Sequence, residues 1–146
     1  MPTNPEEFYT LKGYQVNTQT ELTPAMEDYL EMICRLLQQS RVVRIGELAQ
    51  RLHVKPSSAT KMIQQLKLAG YVDSEKYGYI MLTRKGHEEG EYLLYRHRVL
   101  QRFLCVLNGS KDELEQVEKI EHFINRATIK NLDALTERLE AEKKGK

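Results

Sequence analysis

One short segment of the chain carries three side chains that could bind a metal ion. Residues 117–123 read VEKIEHF and place Glu118, Glu121 and His122 at positions i, i+3 and i+4. Side chains at these spacings lie on one face of an α-helix. Two carboxylates and an imidazole on one face form either a solvated polar stripe or part of a metal site. The segment alone does not decide between the two.

Two other parts of the chain offer further metal-binding groups. Asp28 and Glu31 are three residues apart in a stretch with helical periodicity, and His97 lies in a later helical stretch. The ring of His97 is expected to face the core, because it shares its helix face with Leu93, Leu100, Leu104 and Leu107. Three helices therefore present polar groups from faces that could pack together.

Each of these groups has a simpler explanation when it is taken alone. Asp28 and Glu31 near a helix start could complement the helix dipole, an effect worth about 0.3–1 kcal/mol. His97 could be a hydrogen-bonded core residue, and Glu118 with Glu121 could form a solvated face. A buried carboxylate without a partner usually protonates, however, because burying its charge is costly. A divalent cation would remove that cost.

The donor atoms indicate which metal such a site would take. Four carboxylates and two imidazoles suit Mn²⁺ or Fe²⁺ better than Cu⁺ or structural Zn²⁺. Mn²⁺ is the weakest binder in the Irving–Williams series, so coordination geometry would have to supply selectivity. Six side chains suffice for two ions if carboxylates bridge. The candidate ligands are Asp28, Glu31, His97, Glu118, Glu121 and His122.

Length and composition indicate a soluble globular protein. The 146 residues are 40% apolar and 29% charged, which predicts one domain or two small domains that share a core. No apolar run reaches the ~18–20 residues of a membrane span, and the first residues do not resemble a secretory signal. We therefore expect a cytoplasmic protein in which Cys34 and Cys105 are buried free thiols, a disulfide or ligand pair being the alternative.

Basic residues are concentrated in the middle of the chain. Residues 41–86 contain nine lysines and arginines against three acids, whereas residues 1–40 contain six acids and two bases. Residues 87–146 contain twelve acids and eleven bases, and the net charge of the whole chain is +1. A basic segment of this kind is typical of a surface that contacts phosphate groups.

The periodicity of this segment predicts a winged helix-turn-helix. After a loose extension over residues 1–22, Thr23 and Pro24 suit the start of a helix, and Gly70 suits the end of a later one. The expected elements are helices at about 24–39, 45–52 and 56–69, then two short strands around a turn at Tyr77–Gly78.

The remainder of the chain is expected to be helical. Asn108 and Gly109 interrupt the pattern, and Ser110 could cap the helix that follows. The predicted helices run from Arg84 to Leu107, from Ser110 through VEKIEHF, and over about 127–141, with a frayed charged tail. The predicted fold class is therefore mainly α.

The third helix has the side chains of a DNA-reading helix. Its outward face combines hydroxyl, amide and lysine groups with no acid, and such groups bond base edges and phosphates in the major groove. Arg44 and Lys76 would contact the sugar-phosphate backbone of the DNA on either side of this helix. The outward residues are Ser57, Ser58, Thr60, Lys61, Gln64 and Gln65. The alternatives are an exposed polar helix that reads nothing and a winged helix that binds protein.

Five segments together resemble a known family. They are TPAMEDYLEMI, RIGELAQRLHVKPSSATKMIQQL, YVDSEKYGYIMLTRKG, LLYRHRVLQRFL and VEKIEHF. Over residue 23 to about 141 they are similar to the manganese transport regulators, which belong to the diphtheria-toxin-repressor-like family of metal-dependent repressors. The iron-responsive branch is less similar: it has methionine where Asp28 stands, a cysteine among its ligands, and usually an SH3-like domain at its C-terminus.

The resemblance implies both a site and a domain organisation. It implies a binuclear Mn²⁺ site at Asp28, Glu31, His97, Glu118, Glu121 and His122, and a homodimer that binds palindromic operators upstream of metal-uptake genes. The chain would then divide into an N-terminal extension (1–22), a winged helix-turn-helix DNA-binding domain (23–86) and a helical metal-binding and dimerisation domain (87–146).

The sequence thus predicts a cytoplasmic Mn²⁺-responsive transcriptional repressor that is not an enzyme. An Fe²⁺-responsive regulator and a winged-helix transcription factor without a metal effector are the nearest alternatives. A hydrolase with a dinuclear site is a further alternative. Against the hydrolase, the sequence offers neither a nucleophile nor a phosphate-binding glycine loop. A protein-interaction module would bind no DNA even at low salt.

Overall fold

The computed structural model describes residues 10–12, 22–74 and 78–145 and shows a mainly helical fold with a small sheet. The helices are α1 (Pro24–Gln39), α2 (Ile45–Leu52), α3 (Pro56–Leu68), α4 (Arg84–Asn108), α5 (Leu114–Ile120) and α6 (Arg126–Lys144), and a 3₁₀ turn (Glu121–Phe123) follows α5. The strands are β1 (Val43–Arg44), β2 (Val72–Ser74) and β3 (Tyr79–Leu82). The predicted fold class is confirmed. Most of the predicted extension over residues 1–22 lies outside the described residues.

Local sequence signals set the ends of the first helices. The Thr23 hydroxyl accepts a hydrogen bond from the Met26 amide (3.2 Å), with Pro24 in the first turn of α1. His53 ends α2 in the left-handed conformation (φ 57°), and Pro56 begins α3. Helices α1 and α2 have the bounds predicted from the sequence, and α3 ends one residue before the predicted bound.

The three strands form an antiparallel sheet in the order β1-β3-β2. Val43 pairs with Ile80 on one side of β3, and Ser74 pairs with Ile80 on the other. Strands β2 and β3 form the predicted wing. Strand β1 was not predicted, because two residues are too few to show an alternating pattern.

Helix α4 contributes to both hydrophobic cores. Leu93 packs in the larger core, which is formed by α1, α2, α3 and the sheet. Leu100 and Leu104 pack in the smaller core with α5 and α6. Leu107, which was expected on the same buried face, is 60% exposed at the end of the helix. The domain boundary expected between residues 86 and 87 falls inside this continuous helix.

The C-terminal helices differ from the prediction at their ends. Helix α5 begins at Leu114, four residues later than expected, because Ser110 donates its hydroxyl to Glu113 Oε1 (2.7 Å) and does not cap the helix. The Leu114 amide instead donates to Asp112 Oδ1 (3.0 Å). Helix α6 continues to Lys144, through most of the tail that was expected to fray.

Two further observations concern whole-chain properties. Within the described ranges, every helix is too short or too polar to cross a membrane. Cys34 and Cys105 are free thiols, the first buried and the second half-buried. Cys34 packs against Gly90 of α4, where an added Cβ would overlap its Sγ.

Candidate metal centre and DNA-reading surface

The six candidate ligands meet where α1, α4, α5 and the 3₁₀ turn pack together. Their ligand atoms form two groups, each with its atoms within 4.8 Å of one another. Glu121 belongs to both groups, so its carboxylate lies where it could bridge two ions. The first group is Glu31, His97, Glu118 and Glu121, and the second is Asp28, Glu121 and His122.

The end of helix α5 decides how VEKIEHF contributes to the two groups. Glu118 lies on the last turn of α5 with a half-exposed side chain. Glu121 and His122 lie on the 3₁₀ turn, which places the Glu121 side chain in the interior at 1% exposure. The segment therefore contributes to both groups, although the regular helix assumed from the spacing ends at Ile120.

His97 faces three carboxylates of the first group through one ring nitrogen. Its Nδ1 is 3.0 Å from Glu121 Oε2, 3.6 Å from Glu118 Oε1 and 3.8 Å from Glu31 Oε1. The hydrogen bond with Glu121 raises the pKa of His97 and outweighs the opposing effect of burial. The ring is thus held with Nδ1 towards the carboxylates.

His122 has a carboxylate on each side of its ring. Nδ1 is 2.8 Å from Glu27 Oε1, and Nε2 is 3.0 Å from Asp28 Oδ1. Burial alone would lower the pKa of His122, but the two carboxylates of Asp28 and Glu27 outweigh it and raise the pKa to about 10. In the absence of a cation the imidazole therefore carries a proton.

Three buried carboxylate oxygens in the site lack a hydrogen-bond partner. They are Asp28 Oδ1, Glu31 Oε1 and Glu121 Oε1. The Asp28 oxygen is close to His122 but outside hydrogen-bond geometry. Burial, with the nearby charge of Glu121, raises the pKa of Glu31 to about 7. Buried carboxylate oxygens without hydrogen bonds, beside imidazole nitrogens, fit a hard divalent cation.

An open cleft of about 460 Å³ lies over the first group of candidate ligands and extends to α2. Its lining includes Glu31, His97 and Glu118 on the metal side and Arg51 and Leu52 of α2 on the other. A solvent path therefore leads to the candidate ligands, and one of its walls belongs to the helix-turn-helix.

Sequence reasoning missed two residues at the site, Glu27 and Arg96. Arg96 is 3% exposed and donates hydrogen bonds to both carboxylate oxygens of Glu27, each at 3.3 Å. A signal was present in the sequence: Arg96 is three residues after Leu93 and four before Leu100, so it lies on the apolar face of α4. Glu27 lies in the first turn of α1, where an acid has a local role in complementing the helix dipole, so its residue type gave no sign of a contact with α4.

The predicted DNA-reading residues that the structure describes are all exposed. On α3 they are Ser57, Ser58, Thr60, Lys61, Gln64 and Gln65. The Thr60 hydroxyl donates to the Pro56 carbonyl of its own helix (3.0 Å). Arg44 is exposed on β1, where its guanidinium donates to the Tyr79 hydroxyl (2.7 Å) and lies over the ring. Lys76 lies outside the described residues.

Two family models match consecutive parts of the chain. The model described as "Iron dependent repressor, N-terminal DNA binding domain" matches residues 21–80. The model described as "Iron dependent repressor, metal binding and dimerisation domain" matches residues 83–146. The chain belongs to the iron-dependent repressor family. It therefore has a DNA-binding domain and a domain that binds a divalent metal and forms a homodimer, and it is a transcriptional regulator and not an enzyme.

Curated relatives of this repressor confirm the resemblance to the manganese transport regulators. "HTH-type transcriptional regulator MntR" of Bacillus velezensis is 37% identical over 125 residues, which cover 85% of this chain and 88% of the relative. The protein of the same name from Oceanobacillus iheyensis is 40% identical over 114 residues, 77% of this chain and 78% of the relative.

Solved structures of larger family members share the fold of this repressor. "Metal-dependent transcriptional regulator MtsR" superposes with a TM-score of 0.71 at 26% identity, over 80% of this chain and 55% of that chain. "Manganese regulator SloR" gives a TM-score of 0.68 at 26% identity, over 78% of this chain and 54% of that chain. This chain thus spans about half the length of these two.

Proposed function

We propose that this chain is a Mn²⁺-responsive repressor of metal-uptake genes that acts in the cytoplasm as a homodimer on palindromic operators. One observation carries the proposal: four carboxylates and two imidazoles, brought from separate helices, form two groups that share Glu121. In this proposal residues 23–86 read DNA, and residues 87–146 hold most of the ligands and the dimer surface.

The proposed ligands are Asp28, Glu31, His97, Glu118, Glu121 and His122, for two ions per chain. The oxygen and imidazole donors suit both Mn²⁺ and Fe²⁺, and Mn²⁺ is favoured because Asp28 stands where the iron-responsive branch has methionine. Cys34, one turn after Glu31, packs against Gly90 and is in neither group. Two solved relatives are entitled "manganese regulator SloR" and "Manganese-activated Repressor ScaR", which also supports Mn²⁺.

Helix α1 connects the metal site to the reading domain. Asp28 and Glu31 lie on α1, which packs along α4 and leads through β1 directly into α2 and α3. A bound divalent cation would supply the positive charge that lets the carboxylates of α1, α5 and the 3₁₀ turn lie together beside His97 of α4. Ligation then fixes α1 against α4, and so the spacing of the two recognition helices of a dimer, which must match half-sites ~34 Å apart or a multiple of that.

The test is a metal-by-metal titration of binding to a palindromic operator, with Asp28→Met measured in parallel. A coupling of ~1–3 kcal/mol is typical for an effector, so a chelator should weaken operator binding severalfold to about a hundredfold. Restoration by Mn²⁺ at lower concentration than Fe²⁺ would favour the proposal over the iron-responsive alternative. Equal operator affinity with and without Mn²⁺ would show that there is no metal switch.

We expect Mn²⁺ affinity to rise with pH. Ligation requires deprotonated groups, and in the metal-free protein the pKa of Glu31 is about 7 and that of His122 about 10. Each displaced proton changes the apparent affinity about tenfold per pH unit. His122 would contribute about 100-fold and Glu31 about tenfold between about pH 6 and pH 8, so the rise should be on the order of 1000-fold. Electron paramagnetic resonance of free Mn²⁺ at several pH values measures this rise.

Two histidine variants provide the controls for the pH dependence. His122→Ala should flatten the dependence by about one proton, whereas His87→Ala, which removes an exposed imidazole on α4, should leave the slope unchanged. A pH-independent affinity of the unaltered protein would show that neither raised pKa is linked to metal binding.

Lys61 is expected to contact the DNA backbone from the exposed face of α3. Lys61→Ala should weaken binding to operator and to unrelated DNA by a similar factor, and it should reduce the salt slope by about one per chain. Lys130→Ala on α6 removes an equally exposed lysine away from this face and serves as the control. Fluorescence anisotropy over a range of salt concentrations measures both the affinity for DNA and the salt slope. Loss of operator binding alone would assign Lys61 to base contacts.

A further inference from the structure

Glu27 and Arg96 form a buried pair directly behind His122. Arg96 donates from Nη1 to Glu27 Oε2 and from Nη2 to Glu27 Oε1, both at 3.3 Å, with side-chain exposures of 4% for Arg96 and 14% for Glu27. Glu27 Oε1 also lies 2.8 Å from His122 Nδ1. The pair joins α1 to α4 at the second of the two ligand groups.

The contacts of Glu27 determine which ring nitrogen of His122 is free. An Nδ1–H that donates to Glu27 leaves Nε2 as the nitrogen that faces Asp28, at 3.0 Å. Metal-binding histidines commonly donate their other ring N–H to a carboxylate, which fixes the tautomer and the ring orientation. Both Glu27 oxygens accept hydrogen bonds from Arg96, which balances the charge of this carboxylate, and Glu27 is in neither ligand group.

We propose that Glu27 and Arg96 are positioning residues for the metal centre: Glu27 holds the His122 ring with Nε2 towards Asp28, and Arg96 holds the Glu27 carboxylate in place. The inference rests on the proposed function, since it assumes that His122 is a ligand. It adds two residues outside both ligand groups. Arg96 Nη2 also lies 3.4 Å from His122 Nδ1 and 4.0 Å from Glu121 Oε1, so the guanidinium contacts the ring that Glu27 positions and lies near the carboxylate shared by both groups.

The test measures Mn²⁺ binding by electron paramagnetic resonance and calorimetry in Glu27→Ala and Glu27→Gln. Losing a partner of this kind costs about 10–100-fold in metal affinity, so Glu27→Ala should lose that factor. The loss should fall mainly on one of the two binding events, the ion held by Asp28, Glu121 and His122. Glu27→Gln should keep part of the affinity, because its amide oxygen can still accept the Nδ1–H bond.

A control variant separates positioning from the general loss of an ion pair between helices. Glu89 on α4 pairs with Arg126 at 2.7 Å and is in neither ligand group, and Glu89→Gln removes that charge pair. It should leave both Mn²⁺ affinities unchanged. Thermal unfolding of the metal-free proteins is measured in parallel, and the near-isosteric Glu27→Gln carries the test if Glu27→Ala does not fold.

A double-mutant cycle with His122→Ala decides whether Glu27 acts through the ring. In that background Glu27→Ala should cause no further loss of affinity. An equal further loss would overturn the inference, and so would a Glu27→Ala protein that is less stable but binds Mn²⁺ as the unaltered protein does. If the unaltered protein itself binds no Mn²⁺, the proposed function fails as well, which distinguishes the two failures.

Discussion

Glu121→Gln is expected to lower Mn²⁺ affinity by more than about 100-fold and to make operator binding independent of metal. Loss of a residue that only supports a ligand costs about 10–100-fold, and Glu121 is a candidate ligand in both groups. The amide keeps the shape of the side chain, which is 1% exposed, but removes the charge that two ions would share. Calorimetry and operator titration measure the two effects.

Glu115→Gln is the matched control for this experiment. Glu115 lies on α5, is 89% exposed and pairs only weakly with Lys119 at 3.7 Å. The change of charge is the same, so a general electrostatic effect would appear in both variants. If Glu121→Gln still bound two Mn²⁺ ions with little loss of affinity, the shared carboxylate would not be a bridging ligand and the two groups would be independent sites.

Gly86→Ala is expected to destabilise the folded chain by about 3 kcal/mol or more. Gly86 lies in the first turn of α4, and a Cβ there would overlap the backbone oxygen of Tyr71. That carbonyl accepts a hydrogen bond from the Thr83 amide (3.1 Å), so it cannot move away freely. Overpacking usually costs about 1–3 kcal/mol, and overlap with fixed backbone lies at the upper end or beyond.

Gly46→Ala provides the opposite expectation in the same domain. No atom lies within 4 Å of a Cβ at Gly46, and alanine is favoured over glycine in a helix by about 0.5–1 kcal/mol. Urea unfolding of both metal-free variants should therefore show one large loss and one small gain. If Gly86→Ala and Gly46→Ala had equal stabilities, α4 could shift against Tyr71 without cost. The packing of α4 against the wing would then not be rigid.

Most of the helices, and the exposed face of α3 that we propose reads DNA, could be predicted from local sequence signals and periodicity. Local signals, which act within one turn of the chain, set several helix ends. They are the helix start at Thr23-Pro24, the left-handed conformation of His53 before Pro56, and the helix end at Gly109. Helical periodicity alone predicts the exposed side of α3, because the polar face of a helix can be identified from the sequence without knowing which elements pack against it. The six candidate ligands followed from residue type, spacing and family resemblance.

The division of the candidate ligands into two groups, and the residues that support them, emerge only from the packing of the helices. The sharing of Glu121, the pairing of β1 with β3, and the contact of Glu27 with Arg96 join residues 24 to 93 positions apart, and residue spacing carries no information about such distances. The late start of α5 likewise depended on which of Ser110 and Asp112 bonds to the backbone. Periodicity places a side chain on a face, but the packing of α1 against α4 determines which side chains from different helices meet.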